Sequence, residues 1–323
     1  MIDAELDASA VDTLESFDLN GTRQWALVRG RSRSAPVLLL VQAGPGFPMV
    51  HEASALEHQL GLEEHFRVVY WDQRSTGKSF IARANSGVTV ADFVADVRAM
   101  TRALCDRLHV LSINVVGFSL GASLALLAAA EEPARIRSLV CVGVDVNLLE
   151  SERFAYTFAR KEAERRGNRR ALRELRAIGE PPHDDAKRFM TRVKWVANFG
   201  GVHHGKTFGG LLRANVARLW ASPHYSLAEM VRALRAMTAT QARVLPALQG
   251  FDLLAKDPRV AVPLAVFQGR HDIASPPSLA ADLAARLGAR MVWFEKSAHM
   301  PHEEEPRRFR EELLSFVQQV SVS

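Results

Sequence analysis

A serine between two glycines, a later aspartate and a still later histidine hold the chemistry available to this chain of 323 residues. Ser119 lies in Gly117-Phe118-Ser119-Leu120-Gly121, after the apolar run 113–116 and before the small-residue stretch 120–130. G-x-S-x-G at a strand-to-helix junction makes a sharp turn that lifts the serine hydroxyl out of the sheet, and bulky residues two positions either side would clash there. The helix start then offers unpaired backbone N–H groups to a developing oxyanion. A serine hydroxyl needs a base to become a good nucleophile, and the base needs an acid to orient it. Both stand downstream in the order serine, acid, histidine. Asp272 ends Gly269-Arg270-His271-Asp272, after the apolar run 264–268. His299 ends Glu295-Lys296-Ser297-Ala298-His299, after the run 291–294. Each falls just past a strand's C-terminal end, where the sites of parallel sheets collect. His271 and His302 compete for the base role. His271 adjoins Asp272 and would point elsewhere on an extended chain, and His302 lies a turn later. His299 is preferred because it sits in the loop directly after the strand.

This set predicts acyl transfer to water through an acyl-enzyme. A second oxyanion donor must come from the loop after an early strand, where Gln42-Ala43-Gly44-Pro45-Gly46 stands. Pro45 has no N–H to give. The N–H of Gly44 is the first choice and Ala43 the fallback, with the N–H of Leu120 as the other donor. Phe118, Trp195, Phe199, Phe208, Trp220 and Tyr225 are candidates to line an apolar substrate pocket, although packing within a helical region would use the same residue types. The chemistry needs no cofactor. His203-His204 and His299-x-x-His302 lack a third ligand, and H-E-x-x-H is absent, so no metal site is expected.

Alternating strands and helices must position these residues. Residues 11–19 and 22–29 read as a hairpin around Asn20-Gly21, a dipeptide suited to a type I′ turn. Runs 37–41, 66–71, 113–116 and 136–142 are continuously apolar, as in strands buried on both faces of a parallel sheet. Residues 90–108 have helical spacing, and 120–130 read as a helix. Beyond about Asn147 the pattern becomes helical and arginine-rich, broken by Pro181-Pro182, Gly200-Gly201 and Gly209-Gly210, with no convincing strand until 264–268. A helix at 278–287, a strand at 291–294 and a closing helix at 306–320 follow. The expected class is α/β, a mostly parallel sheet flanked by helices. Residues 1–147 and 246–323 form its core, and 148–245 form an inserted helical cap.

Five segments together resemble α/β-hydrolases of the proline iminopeptidase-like group. They are Gln42-Ala43-Gly44-Pro45-Gly46, Asp72-Gln73-Arg74-Ser75-Thr76-Gly77-Lys78-Ser79, Gly117-Phe118-Ser119-Leu120-Gly121, Gly269-Arg270-His271-Asp272 and Ala298-His299-Met300-Pro301-His302. The resemblance implies the α/β-hydrolase fold, Ser119, Asp272 and His299 as the triad, and a helical cap over the site. Gln42 and Ala43 stand where that group usually has His and Gly, and Phe118 and Leu120 where it has Gly and Trp. The resemblance therefore speaks to mechanism more than to peptidase activity. The expected function is cleavage of a small ester, lactone or amide. A proline iminopeptidase-type aminopeptidase is the second reading, and a non-catalytic small-ligand-binding protein of the same fold is the third.

Other features point away from other classes. Residues 200–207 match G-x-x-x-x-G-K-[ST], but a phosphate-binding loop follows a buried strand, and here a charged, helix-like segment precedes it. The net charge is +5, yet arginines and acids interleave, so no nucleic-acid partner is expected. Cys105 and Cys141 belong to no metal or redox motif and read as reduced, packed thiols. Residues 1–15 are acidic and carry no apolar core, and no run approaches the roughly 18 apolar residues of a membrane span. A cytoplasmic protein with a small-molecule substrate is expected; oligomeric state is unknown from the sequence.

Overall fold

Asn20-Gly21 closes the hairpin between β1 (Val11–Leu19) and β2 (Thr22–Gly30), with Leu19 paired to Thr22. Both turn residues have positive φ, 46° and 76°, as a type I′ turn requires. This computed structural model describes residues 10–44, 46–80 and 87–322. The expectations for residues 1–9 and for Pro45 lie outside the described residues.

The core continues through β3 (Val37–Val41), α1 (Ala53–Leu60), β4 (Arg67–Asp72), α2 (Val90–Arg107), β5 (Ile113–Phe118), α3 (Leu120–Glu131) and β6 (Ile136–Val142). Five helices follow: α4 (Leu148–Arg165), α5 (Arg169–Ile178), α6 (Ala186–Asn198), α7 (Phe208–Ala221) and α8 (Leu227–Leu248). The chain then returns to the sheet with β7 (Leu264–Gly269), α9 (Pro277–Leu287), β8 (Arg290–Phe294), α10 (Pro301–Glu304) and α11 (Pro306–Val322). The strands form one sheet in the order β1-β2-β4-β3-β5-β6-β7-β8. Pairing is antiparallel at β1–β2 and β2–β4 and parallel in the other five pairs.

The apolar runs have no polar alternation because both faces of the sheet are covered. Leu39 and Val41 of β3 pack with Val97 and Met100 of α2 and Leu283 of α9. Leu38 and Leu40 point the other way, into a cluster with Leu60 of α1 and Phe309 and Leu313 of α11. The helices between β6 and β7 have a core of their own, in which Tyr156, Leu175, Trp195 and Phe199 pack together. Each of the five begins on a side-chain cap: Asn147, Asn168, Asp185, Thr207 and Ser226 accept from the backbone N–H three residues on. Such caps explain how polar, arginine-rich segments start helices so sharply.

The excursion leaves and rejoins the sheet at one place. Asn147 bridges Asp252, and Leu253 N–H donates to the Val146 carbonyl at 2.7 Å. Residues 200–207 follow helix α6 rather than a strand; Thr207 caps α7, and Lys206 pairs with Glu303. The segment thus lacks the setting of a phosphate-binding loop. Cys105 and Cys141 are free and buried. Among the described residues, no helix is long and apolar enough to cross a membrane.

Candidate active site

Ser119 has φ 52° and ψ −125°, a conformation that an L-residue holds only when its surroundings enforce it. Its N–H donates to Val142 of the neighbouring β6 at 2.8 Å, and its carbonyl accepts from Ala122 at 2.9 Å. The flanking glycines permit the close approach. A Cβ on Gly117 would stand 2.5 Å from the Ala122 Cα, and one on Gly121 would stand 2.6 Å from the Val41 carbonyl oxygen. Helix α3 can therefore start directly against the ends of β3 and β5, with Leu120 as its first residue. The first N–H groups of a helix have no intrahelical acceptor.

Asp272 is buried just beyond β7, and its carboxylate accepts four hydrogen bonds. Oδ1 accepts the N–H groups of Ala274 and Ser275 at 2.8 and 2.9 Å. Oδ2 accepts Gln268 Nε2 at 2.9 Å and His299 Nδ1 at 2.8 Å. With Nδ1 donating, Nε2 is the imidazole nitrogen left to take a proton. His299 lies against β6 as well: a Cβ on Gly143 would be 3.0 Å from its ring. Burial alone would lower the His299 pKa, but the Asp272 charge and hydrogen bond, with Asp145 and Glu304, raise it to about 9.

The Ser119 hydroxyl donates to Asp145 Oδ2 at 3.1 Å, not to His299. Asp145 lies three residues past β6, and its Oδ1 accepts Ser275 Oγ at 2.6 Å. Burial raises its pKa, against the hydrogen bonds of Ser275 and Ser119 and the charge of His299. Sequence reading passed over this residue, although an acid directly past a strand's C-terminal end is the signal that selected Asp272.

The other candidates are distributed as follows. His271 does not bond Asp272; its N–H donates to Ser297 and its ring meets His204. His302 packs on Phe118 with ring centroids 4.8 Å apart, and burial lowers its pKa to about 4. Gly44 and Leu120 line the same small cavity, together with Gln42 and Gly121, while Ala43 packs against the cluster that contains Phe118. Phe118 adjoins Ser119 and is buried. Tyr225 shares the buried cluster of Phe118, and Trp195 and Phe199 belong to another. Trp220 is 70% exposed. Trp195 stacks on Phe199 and donates to Glu174 at 3.0 Å, inside the core of the inserted helices. Phe208 opens helix α7, and the Tyr225 hydroxyl is engaged by Asp72.

Asp72 shows what its segment does locally. Its Oδ1 accepts the N–H groups of Met49 and Val50 at 2.7 and 2.9 Å, and its Oδ2 accepts from Lys78 N–H and Tyr225. This buried carboxylate thereby ties the loop after β3, which carries Gly44, to the inserted helices. Gly201 and Val202 make a second tie, their carbonyls accepting Ile273 N–H and His299 N–H at 3.0 Å each. A cavity of about 420 Å³ on the inserted helices, lined by Arg153, Arg160 and Lys161 among others, includes none of these residues. No cluster of three or more metal-ligating side chains occurs among the described residues.

A family model described as alpha/beta hydrolase fold matches residues 36–306. The probable aminopeptidase YbaC of Bacillus subtilis is 26% identical over 315 residues, covering 95% of this chain and 96% of that protein. Among solved structures, the proline iminopeptidase-related protein of Thermus thermophilus is similar, with TM-score 0.66 and 21% identity over 96% of this chain and 98% of that one. The enol-lactonase of Burkholderia xenovorans is similar with TM-score 0.62 and 19% identity, over 94% of this chain and 100% of that one.

Proposed function

The chain belongs to the alpha/beta hydrolase fold family, and on that premise we propose that it is a serine hydrolase with Ser119, Asp272 and His299 as its triad. The observation that carries this reading is the 2.8 Å bond from His299 Nδ1 to buried Asp272, made over the strand ends that also present Ser119 on its strained turn. Ser119 Oγ attacks a substrate carbonyl as His299 Nε2 takes its proton. Asp272 fixes the imidazole tautomer and stabilises the imidazolium. The N–H groups of Leu120 and Gly44, or Ala43 in place of Gly44, hold the oxyanion. His299 returns the proton to the leaving group, and water then attacks the acyl-enzyme with His299 again as base. The serine hydroxyl must first turn from Asp145 toward His299, a rotation about χ1. Helices α4 to α8 act as a cap on the core, which comprises 1–147 and 246–323.

The substrate is a small ester, lactone or amide. An aminopeptidase is the second reading, favoured by similarity to the Bacillus subtilis protein across nearly the whole chain. A panel of p-nitrophenyl esters of increasing acyl length, run beside proline-β-naphthylamide, separates the two. Ester turnover, reduced by roughly four to six orders of magnitude in Ser119→Ala, is the expected result. Strong preference for the amide would select the aminopeptidase, and full turnover by Ser119→Ala would refute the mechanism.

A further inference from the structure

Helices α7 and α8 carry an apolar surface that the hydrolase reading leaves unused. Leu212, Val216 and Trp220 stand four residues apart along α7, and Leu227, Val231 and Leu234 follow helical spacing along α8. Each is 37–70% exposed, so six of the nine exposed large apolar side chains among the described residues lie on these two helices. Apolar side chains exposed singly are ordinary, whereas rows of them mark an interaction surface. The opposite sides of the helices are accounted for by packing. Leu219 of α7 and Ala233 of α8 enter one buried cluster, together with Tyr225 of the connection 222–226. The two rows are thus the outward sides of consecutive helices seated on the same cluster.

The charge of this region is as uneven as its apolarity. Residues 208–248 hold five arginines and one glutamate, which supplies most of the chain's net charge of +5. Glu229 is taken up in capping α8 and in pairing with Lys78, and Arg218 is tied to Glu52 and Glu303 of the core. Arg213, Arg232 and Arg235 are exposed, each next in sequence to a residue of the apolar rows. A second copy of the chain meeting this face by its own would bring arginine against arginine, with no acid of α7 or α8 free to receive them. An anionic bilayer offers hydrocarbon to the apolar rows and negative headgroups to the arginines. Trp220, in the last turn of α7, is a residue type that settles at the headgroup level.

We propose that α7 and α8 form a membrane-docking face, by which the protein lies on a bilayer rich in anionic lipid without crossing it. The apolar rows enter the boundary between headgroups and acyl chains, and the three exposed arginines meet the lipid phosphates. The inward sides keep their partners: Arg218 holds Glu52 and Glu303, and the Tyr225 hydroxyl holds Asp72. Docking therefore leaves the candidate site assembled, with α7 and α8 between the core and the bilayer.

The test is co-sedimentation of the full chain with vesicles of phosphatidylcholine alone and of phosphatidylcholine mixed with phosphatidylglycerol. The wild type should bind the mixed vesicles about tenfold more tightly than the neutral ones, and added salt should weaken that binding. Leu212→Ser combined with Trp220→Ser should weaken binding to the mixed vesicles by about tenfold, through the lost apolar area. Arg213→Gln combined with Arg235→Gln should remove the preference for the mixed vesicles. All four side chains are exposed, so the melting temperature should hold; should the first pair fail to fold, the second tests the same face. A wild type that does not sediment with the mixed vesicles, or binding that either folded pair leaves unchanged, would overturn the proposal. So would a dimer in light scattering that either pair dissociates, since a second copy would then cover the face. Sedimentation is read without turnover, so its failure is distinct from failure of the serine-hydrolase reading.

Discussion

His299 is subject to two opposed forces. Burial disfavours its cation, while Asp272 at 2.8 Å and Asp145 favour it, and the balance holds its pKa at about 9 against 6.5 for the free side chain. Only the neutral imidazole can take the serine proton. Activity on a neutral ester should therefore rise with pH, with a midpoint near 9 in kcat/KM for the free enzyme. Asp272→Asn should move that midpoint down and reduce kcat by roughly 10⁴, since the ring loses the partner that fixes its tautomer. A midpoint left unchanged by Asp272→Asn, read from the pH profile, would contradict the role given to Asp272. At this scale Ser119, Asp272 and His299 could be nominated from the sequence because strand ends are marked by apolar runs and their order along the chain is constrained. Asp145 was not, because its importance lies in a 3.1 Å contact with a residue 26 positions away, which spacing does not encode. Nor does composition say which face of helix α7 is turned to solvent, where Trp220 is exposed.

The turn at Ser119 depends on its neighbouring elements more than on its own residue type. Gly121 lies where helix α3 meets the end of β3, and a Cβ there would press on the Val41 and Gln42 carbonyls, which are backbone and cannot swing aside. Gly121→Ala should lower stability by about 1–3 kcal/mol, and activity with it, as measured by urea denaturation. A neutral result would mean that the helix start shifts freely. Strands were legible to within two residues, because burial on both faces leaves an unbroken apolar run. Helix α8 runs to Leu248 with Pro246 inside its last turn. Helix α10, with four residues, is too short to show any periodicity.

Across the whole molecule, a parallel sheet brings segments far apart in sequence to one edge. Ser119, Asp145, Asp272 and His299 follow β5, β6, β7 and β8, which are neighbours in strand order. The alternation of elements announced such a sheet, but the strand order is a property of the folded chain. The inserted helices are joined to the core by polar contacts at several places: Lys78 with Glu229 at 2.7 Å, Arg218 with Glu52 and Glu303 at 2.7 and 2.9 Å, and Thr240 with the Ser75 carbonyl at 2.6 Å. Those contacts hold the helices against the loops that carry Gly44 and His299, so the site is assembled by the molecule as a whole. The central claim is that this assembly makes one serine nucleophilic. Intact-mass analysis after treatment with a fluorophosphonate tests it most directly: one adduct per chain, located on Ser119 and lost in Ser119→Ala, is expected, whereas no adduct, or the same adduct in Ser119→Ala, would contradict it.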